Sequence, residues 1–175
     1  MVRREKPVRV AIDSCLFISL FLGEDEILNA QTEAVMRYEG FEVVLSTLVG
    51  VEGVGGNGMR KGAKTGPIDN KEVEAARDFF DSADVLWMEV NRRVMLRARD
   101  YCTNFLIKPP DAIVLACAVE SGCEHLFTND EGLIKHSDSI PEIKISPPPE
   151  LSFFPAEEDG FVLPDQPGGD ARLPE

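Results

Sequence analysis

Val8-Arg9-Val10-Ala11-Ile12-Asp13 is the stretch whose reading decides the fold. A short β-branched run that stops at an acid reads as a strand, central in its sheet. Outward from it, residues 15–22 are apolar and helical, and Gly23 breaks them. Ile27, Ala30, Ala34, Val35 and Tyr38 recur at helical spacing up to Gly40. Residues 42–46 form a second strand, and Leu48, Val49, Val51 and Glu52 begin a further helix. Residues 53–70, rich in glycine and carrying Arg60, Lys61 and Lys64, read as a loop. Lys71–Ser82 is an amphipathic helix with Val73, Ala76, Phe79 and Phe80 inside; a strand at 85–88 and a helix at 91–101 follow. Pro109, Pro110 and Asp111 introduce residues 112–119, apolar nearly all round, which marks a buried helix ending before Gly122. Strands at 125–128 and 143–146 complete the pattern. Strands alternating with helices imply a parallel sheet covered on both faces.

A chain of 175 residues that is 43% hydrophobic suits one domain with a tail. The domain is expected over residues 1–146, and residues 147–175 form an acidic, proline-rich tail whose Phe153, Phe154 and Phe161 are free to dock. No apolar run is long enough to span a bilayer. The charged start Met1-Val-Arg-Arg-Glu-Lys-Pro is not read as a signal peptide, because Asp13 interrupts the apolar stretch behind it. Cys15, Cys102, Cys117 and Cys123 form no C-x-x-C pair and read as reduced thiols, Cys15 and Cys117 in the core, of a cytoplasmic protein. With His125 and His136 as the sole imidazoles, zinc is poorly supported. The net charge of -13 argues against whole-surface binding of nucleic acid. Seven acids and one base in the tail supply -6 of it, leaving -7 elsewhere.

The chemistry is expected at the carboxyl edge of the sheet, where open parallel sheets bind ligands. Asp13 and Asp130 directly follow strands, Glu52 lies in the element after the second strand, and Asp111 starts the buried helix. Four carboxylates at one edge repel one another unless they share protons or bind a cation. Hard oxygen ligands select Mg2+ or Mn2+, which suits phosphodiester hydrolysis. Each acid also has a plainer reading. Asp111, Asp13 and Asp130 suit helix N-caps, and Glu52 a solvated helix position; joint placement favours the site.

Residues 8–136 resemble PIN domains, including VapC-type toxins of toxin–antitoxin pairs. The segments that carry the resemblance are Val-Ala-Ile-Asp13-Ser-Cys-Leu-Phe-Ile, Leu-Ser-Thr-Leu-Val-Gly-Val-Glu52, Pro-Pro-Asp111-Ala-Ile-Val-Leu-Ala-Cys-Ala and Leu-Phe-Thr-Asn-Asp130. The resemblance implies a three-layer α/β/α sandwich around a central, mostly parallel sheet. It implies a Mg2+- or Mn2+-dependent endoribonuclease that leaves a 5′-phosphate and a 3′-hydroxyl. Asp13, Glu52, Asp111 and Asp130 would be its catalytic and metal-binding quartet, with Ser14, Thr128 and Asn129 as polar support. An antitoxin and a second copy of the chain are the protein partners it implies. The glycine-rich loop and the acidic tail depart from compact toxins of the family, so an RNA-processing enzyme stands beside a toxin as the reading.

RNA needs positive charge near such a pocket. Arg60, Lys61 and Lys64 are expected to fold over its backbone, with a solvated loop as the plain alternative. Arg92, Arg93, Arg97 and Arg99 read as solvated surface charges. The loop lacks the G-x-x-x-x-G-K-[ST] phosphate cradle. Two alternatives remain: a catalytically silent PIN-fold module that binds RNA or protein, and a metal-dependent phosphatase of small esters.

Overall fold

The computed structural model describes residues 6–60 and 70–155. Its five strands are β1 (Val8–Ile12), β2 (Phe41–Ser46), β3 (Leu86–Met88), β4 (His125–Phe127) and β5 (Lys144–Ser146). They form one sheet in the order β3-β2-β1-β4-β5, with every neighbouring pair parallel. β1 lies at its centre, and Val10, Ala11 and Ile12 are buried. The strand order reverses between β1 and β4, so the crevice beyond their carboxyl ends is the topological switch point of the sheet.

The helices are α1 (Ser14–Leu22), α2 (Glu26–Arg37), α3 (Thr47–Gly55), α4 (Lys71–Ser82), α5 (Arg92–Phe105), α6 (Pro109–Glu120) and α7 (Glu131–Ile134). α1 packs on α2, α3 and α4, while α5 packs on α6, which lies against β2 and β4. Right-handed crossovers place these two groups on opposite faces, giving the three-layer α/β/α sandwich. Phe17 and Phe21 of α1 meet Phe79 and Phe80 of α4 at ring separations of 5.2–5.8 Å. These ring contacts seal the first layer.

Local signals correct the expected boundaries. In α2 the Asp25 side chain accepts from Ile27 N and Leu28 N, which fixes the helix phase. Leu28, Thr32 and Val35 consequently face inward, and Ile27 is left 69% exposed. α3 continues through Gly53 to Gly55 instead of giving way to loop at Gly53. A Cβ on Gly53 would stand 2.6 Å from the Phe80 ring, so its lack of a side chain lets α3 and α4 close up. Arg97 is not a solvated charge: its Nε donates at 2.5 Å to Glu120 Oε1, and Arg93 pairs with the same carboxylate. Past β5, residues Leu151–Phe153 form a short 3-10 turn. There Phe153 and Phe154 pack on Tyr38 and Phe41, with centroids 5.6–6.4 Å apart.

Candidate active site

Asp13 follows β1 and is 5% exposed. Its backbone N–H still bonds to Phe127 O, so the residue is held in the sheet although the strand has ended. Its Oδ1 accepts from Ser14 N at 2.8 Å, capping α1. Its Oδ2 accepts from Thr128 Oγ1 at 2.8 Å and from Cys15 Sγ at 3.2 Å. Thr128, fully buried, also accepts the Asp130 N–H at 3.0 Å. One hydroxyl thus links the residues that follow β1 and β4.

Asp130 caps α7 through Gly132 N at 2.7 Å. Glu52, half-buried on α3, accepts from Ser14 Oγ at 2.8 Å. Burial pushes its carboxyl above the ordinary value; the Ser14 bond opposes this, and the charge of Asp13 adds to it. Asp111 is not the N-cap of α6. Pro109 and Pro110 already occupy its first turn, and Lys108 stands at the cap position with no side-chain bond. The Asp111 carboxylate is therefore free of a capping role. Burial pushes it up to about 6, helped by the charges of Asp13, Asp130 and Glu52, while Lys108 pulls the other way.

The chain thus brings Asp13, Glu52, Asp111 and Asp130 from separate elements into electrostatic reach of one another. Among the described residues, no three Asp, Glu, His or Cys side chains form a ready ligand set for a metal ion. Like charges act on one another over several ångströms, whereas metal ligation requires oxygens at about 2.0–2.6 Å. Closing on a cation would require side-chain rotation, and the hydrogen bonds that tether Glu52 and Asp130 each engage one carboxylate oxygen. The donor set itself, all carboxylate oxygen, fits a hard divalent ion.

Ser14, expected as polar support, bonds to Glu52 and Asp13, and Thr128, expected likewise, bonds to Asp13 and Asp130. Asn129 contributes its backbone N–H, which donates to Cys15 Sγ at 3.4 Å. Arg60 is turned back, its Nε donating to Gly55 O at the end of α3; Lys61 and Lys64 lie outside the described residues. Cys15 was expected in the core but borders the site, half-buried, its thiol pushed up to about 12 by burial and by Asp13. Lys108, Lys135 and His136 are further neighbours that the sequence did not single out. They line a cavity with Asp111 and Asp130. The nearness of Lys108 to Pro109-Pro110-Asp111 was the one available signal.

A parallel sheet with an acid after its central strand and a second beyond the switch point defines the class. A family model described as the PIN domain matches residues 10–138, and the chain belongs to the PIN domain family. Among solved structures, a toxin–antitoxin complex from Klebsiella pneumoniae is 20% identical with a TM-score of 0.57, covering 81% of this chain and 99% of its own. VapBC2 from Rickettsia felis, bound to a promoter DNA fragment, is 14% identical with a TM-score of 0.55, covering 79% and 97%. VapC20 of Mycobacterium tuberculosis, a sarcin–ricin loop cleaving toxin, is 17% identical with a TM-score of 0.55, covering 69% and 91%. At these identities the likeness establishes the fold. Comparison with curated proteins gave no match. Among the described residues, no helix is long and apolar enough to cross a membrane.

Proposed function

We propose that the chain is a metal-dependent endoribonuclease of the PIN family, acting as the toxin of a toxin–antitoxin pair or in RNA processing. One observation carries the reading: Asp13, Glu52, Asp111 and Asp130 converge from four elements on the carboxyl edge of the sheet. A protein that only binds has no physical need for four mutually repelling acids. The toxin–antitoxin complexes among its structural relatives support an antitoxin partner, and the loop-cleaving toxin supports RNA as substrate.

A bound Mg2+ or Mn2+ would supply Lewis acidity toward phosphate oxygens and acidify its own water. Asp13, Asp111 and Asp130 would hold it. Thr128 and Cys15 fix the orientation of Asp13 Oδ2, so that its position is set before substrate arrives. Glu52, aligned by Ser14, would orient the attacking water and take up its proton.

The deciding assay incubates purified protein with mixed single-stranded RNA, with Mn2+ or Mg2+ and with chelator, beside Asp13→Asn. Cleavage that disappears in both controls is the expected result. Binding without cleavage would move the assignment to a silent module, and turnover of small phosphate esters alone to a phosphatase.

A further inference from the structure

Asp111 and Asp130 share a cavity of about 80 Å3 with Leu106, Lys108, Lys135 and His136. It is far below the roughly 300–1,000 Å3 of a small-molecule pocket, so it takes a chemical group and not a whole nucleotide. Its charges are mixed. Lys108 and Lys135 are exposed, and neither forms an ion pair with a carboxylate among the described residues. Two ammonium groups left free beside two of the quartet's acids offer an anion the positive side of an otherwise negative site.

The rim is unusual as well. Leu106 is the one residue other than glycine with positive φ among the described residues, at 57°, and it is 87% exposed. L side chains avoid this region unless the surroundings enforce it, and such residues gather at functional sites. Here the conformation ends α5 and stands an apolar side chain on the lip of the cavity. His136 lies 6.3 Å from the Phe105 ring, which fixes the opposite wall.

We infer that this cavity takes the phosphate of the RNA nucleotide next to the cleaved bond, gripped by Lys108 and Lys135, with the base of that nucleotide outside the cavity on Leu106 at its lip. The inference rests on the nuclease reading. It adds to the positive charge expected of Arg60, Lys61 and Lys64, of which Arg60 is turned onto the end of α3.

The test is steady-state cleavage of fluorescent single-stranded RNA in Mn2+ between about 50 and 200 mM salt. It compares wild type, Lys108→Ala/Lys135→Ala and Lys108→Arg/Lys135→Arg. In the alanine pair, KM should rise on the order of tenfold, and the arginine pair, which keeps both charges, should hold KM near wild type. The slope of log kcat/KM against log salt should become shallower by roughly 1.4, two contacts at ~0.7 each. The arginine pair should keep the wild-type slope. Leu106→Gly, which retains the backbone conformation, should relax the base preference beside the cleaved bond. If wild type cleaves and the alanine pair keeps both its KM and its slope, the phosphate subsite is wrong while the nuclease reading stands. Unchanged base preference in Leu106→Gly removes the base contact. If wild type neither binds nor cleaves RNA, the nuclease reading fails and takes the inference with it.

Discussion

Ser14 Oγ donates a 2.8 Å hydrogen bond to Glu52 Oε2, joining the first turn of α1 to α3. The same residue gives its backbone N–H to Asp13 Oδ1. Ser14 therefore holds two of the four acids at once. Its hydroxyl stabilises the charged form of Glu52 against burial and Asp13, both of which raise that carboxyl. Ser14→Ala removes the stabiliser, so the Glu52 carboxyl should titrate at higher pH. The acid limb of the pH–rate profile should shift upward, and the rate at neutral pH should fall on the order of tenfold. Stability should drop by about 1 kcal/mol or less, because Glu52 is only half-buried. Superimposable acid limbs for the two proteins would show that the bond does not tune Glu52.

Thr128 makes the second link and makes it deeper in the protein. It is fully buried, donates to Asp13 Oδ2 and accepts from Asp130 N. Thr128→Val keeps the shape and loses both bonds, leaving a buried carboxylate oxygen with only Cys15. The expected loss is about 2–3 kcal/mol, or roughly 5–10 °C in Tm for a chain of this size. Thr128→Ser keeps the hydroxyl and should melt close to wild type. Calorimetry of the two variants decides it: equal melting temperatures would mean that the bonds contribute nothing net.

Much of this arrangement could be read from the chain, and the failures have identifiable causes. β1 was legible because a β-branched run stops at Asp13, and the loss of periodicity in α6 announced burial on all sides. Asp111 was open to misreading as a cap, since its competence for that role says nothing about where Pro109 starts the helix. Gly53 looked like the start of a loop, yet the close approach of Phe80 outweighs its weak helix propensity. Ile27 fitted one helical phase, but the Asp25 cap selected another. The cavity between Lys108 and Lys135 was invisible, because a non-periodic turn and a four-residue helix meet there only in three dimensions.

Asp111 gives a pH-dependent prediction. Its carboxyl stands at about 6 in the folded protein against an ordinary 3.8. The folded state therefore holds this proton more tightly than the unfolded chain. Stability falls as pH rises from about 4 to 6 and stays lowered above that window. Asp111→Asn removes the penalty. Discounted for solvent exposure and for the helix N-terminus, which favours a negative charge, the gain at pH 7.5 is about 1 kcal/mol, or roughly 2–4 °C. It should vanish at pH 4. Melting curves in chelator at both pH values test this, and a variant no more stable than wild type at pH 7.5 would refute it.

Phe154 tests whether the segment past β5 is part of the folded unit. Its ring lies 5.6 Å from Tyr38 and 5.2 Å from Phe153, edge-on in both cases. Phe154→Ala removes these contacts from the surface of α2 and should cost about 1–2 kcal/mol. Truncation after Ser146 removes both phenylalanines and should lower Tm further. A truncated chain that melts with the full-length protein would place the domain boundary at residue 146, as the sequence alone had it.

Glu120 of α6 pairs with Arg93 and Arg97 of α5. Its side chain is 3% exposed, held by Arg97 Nε at 2.5 Å and by Arg93, whose own side chain is 79% exposed. Arg97 also reaches Glu142 Oε1 at 3.5 Å. An almost buried carboxylate is tolerated only while its partners stay, because desolvation alone disfavours the charge. Arg97→Met leaves Arg93 as the remaining partner and should cost about 2–3 kcal/mol, less than the ~3–5 kcal/mol of an unshared buried pair. Glu120→Leu combined with Arg97→Met removes the charge that needed compensation. The double variant should therefore be more stable than Arg97→Met alone, despite carrying one more substitution. Denaturant titrations of the two single variants and the double close the cycle. A coupling energy near zero would mean that the Glu120 carboxylate is satisfied without Arg97, and the α5–α6 contact would then rest on apolar packing.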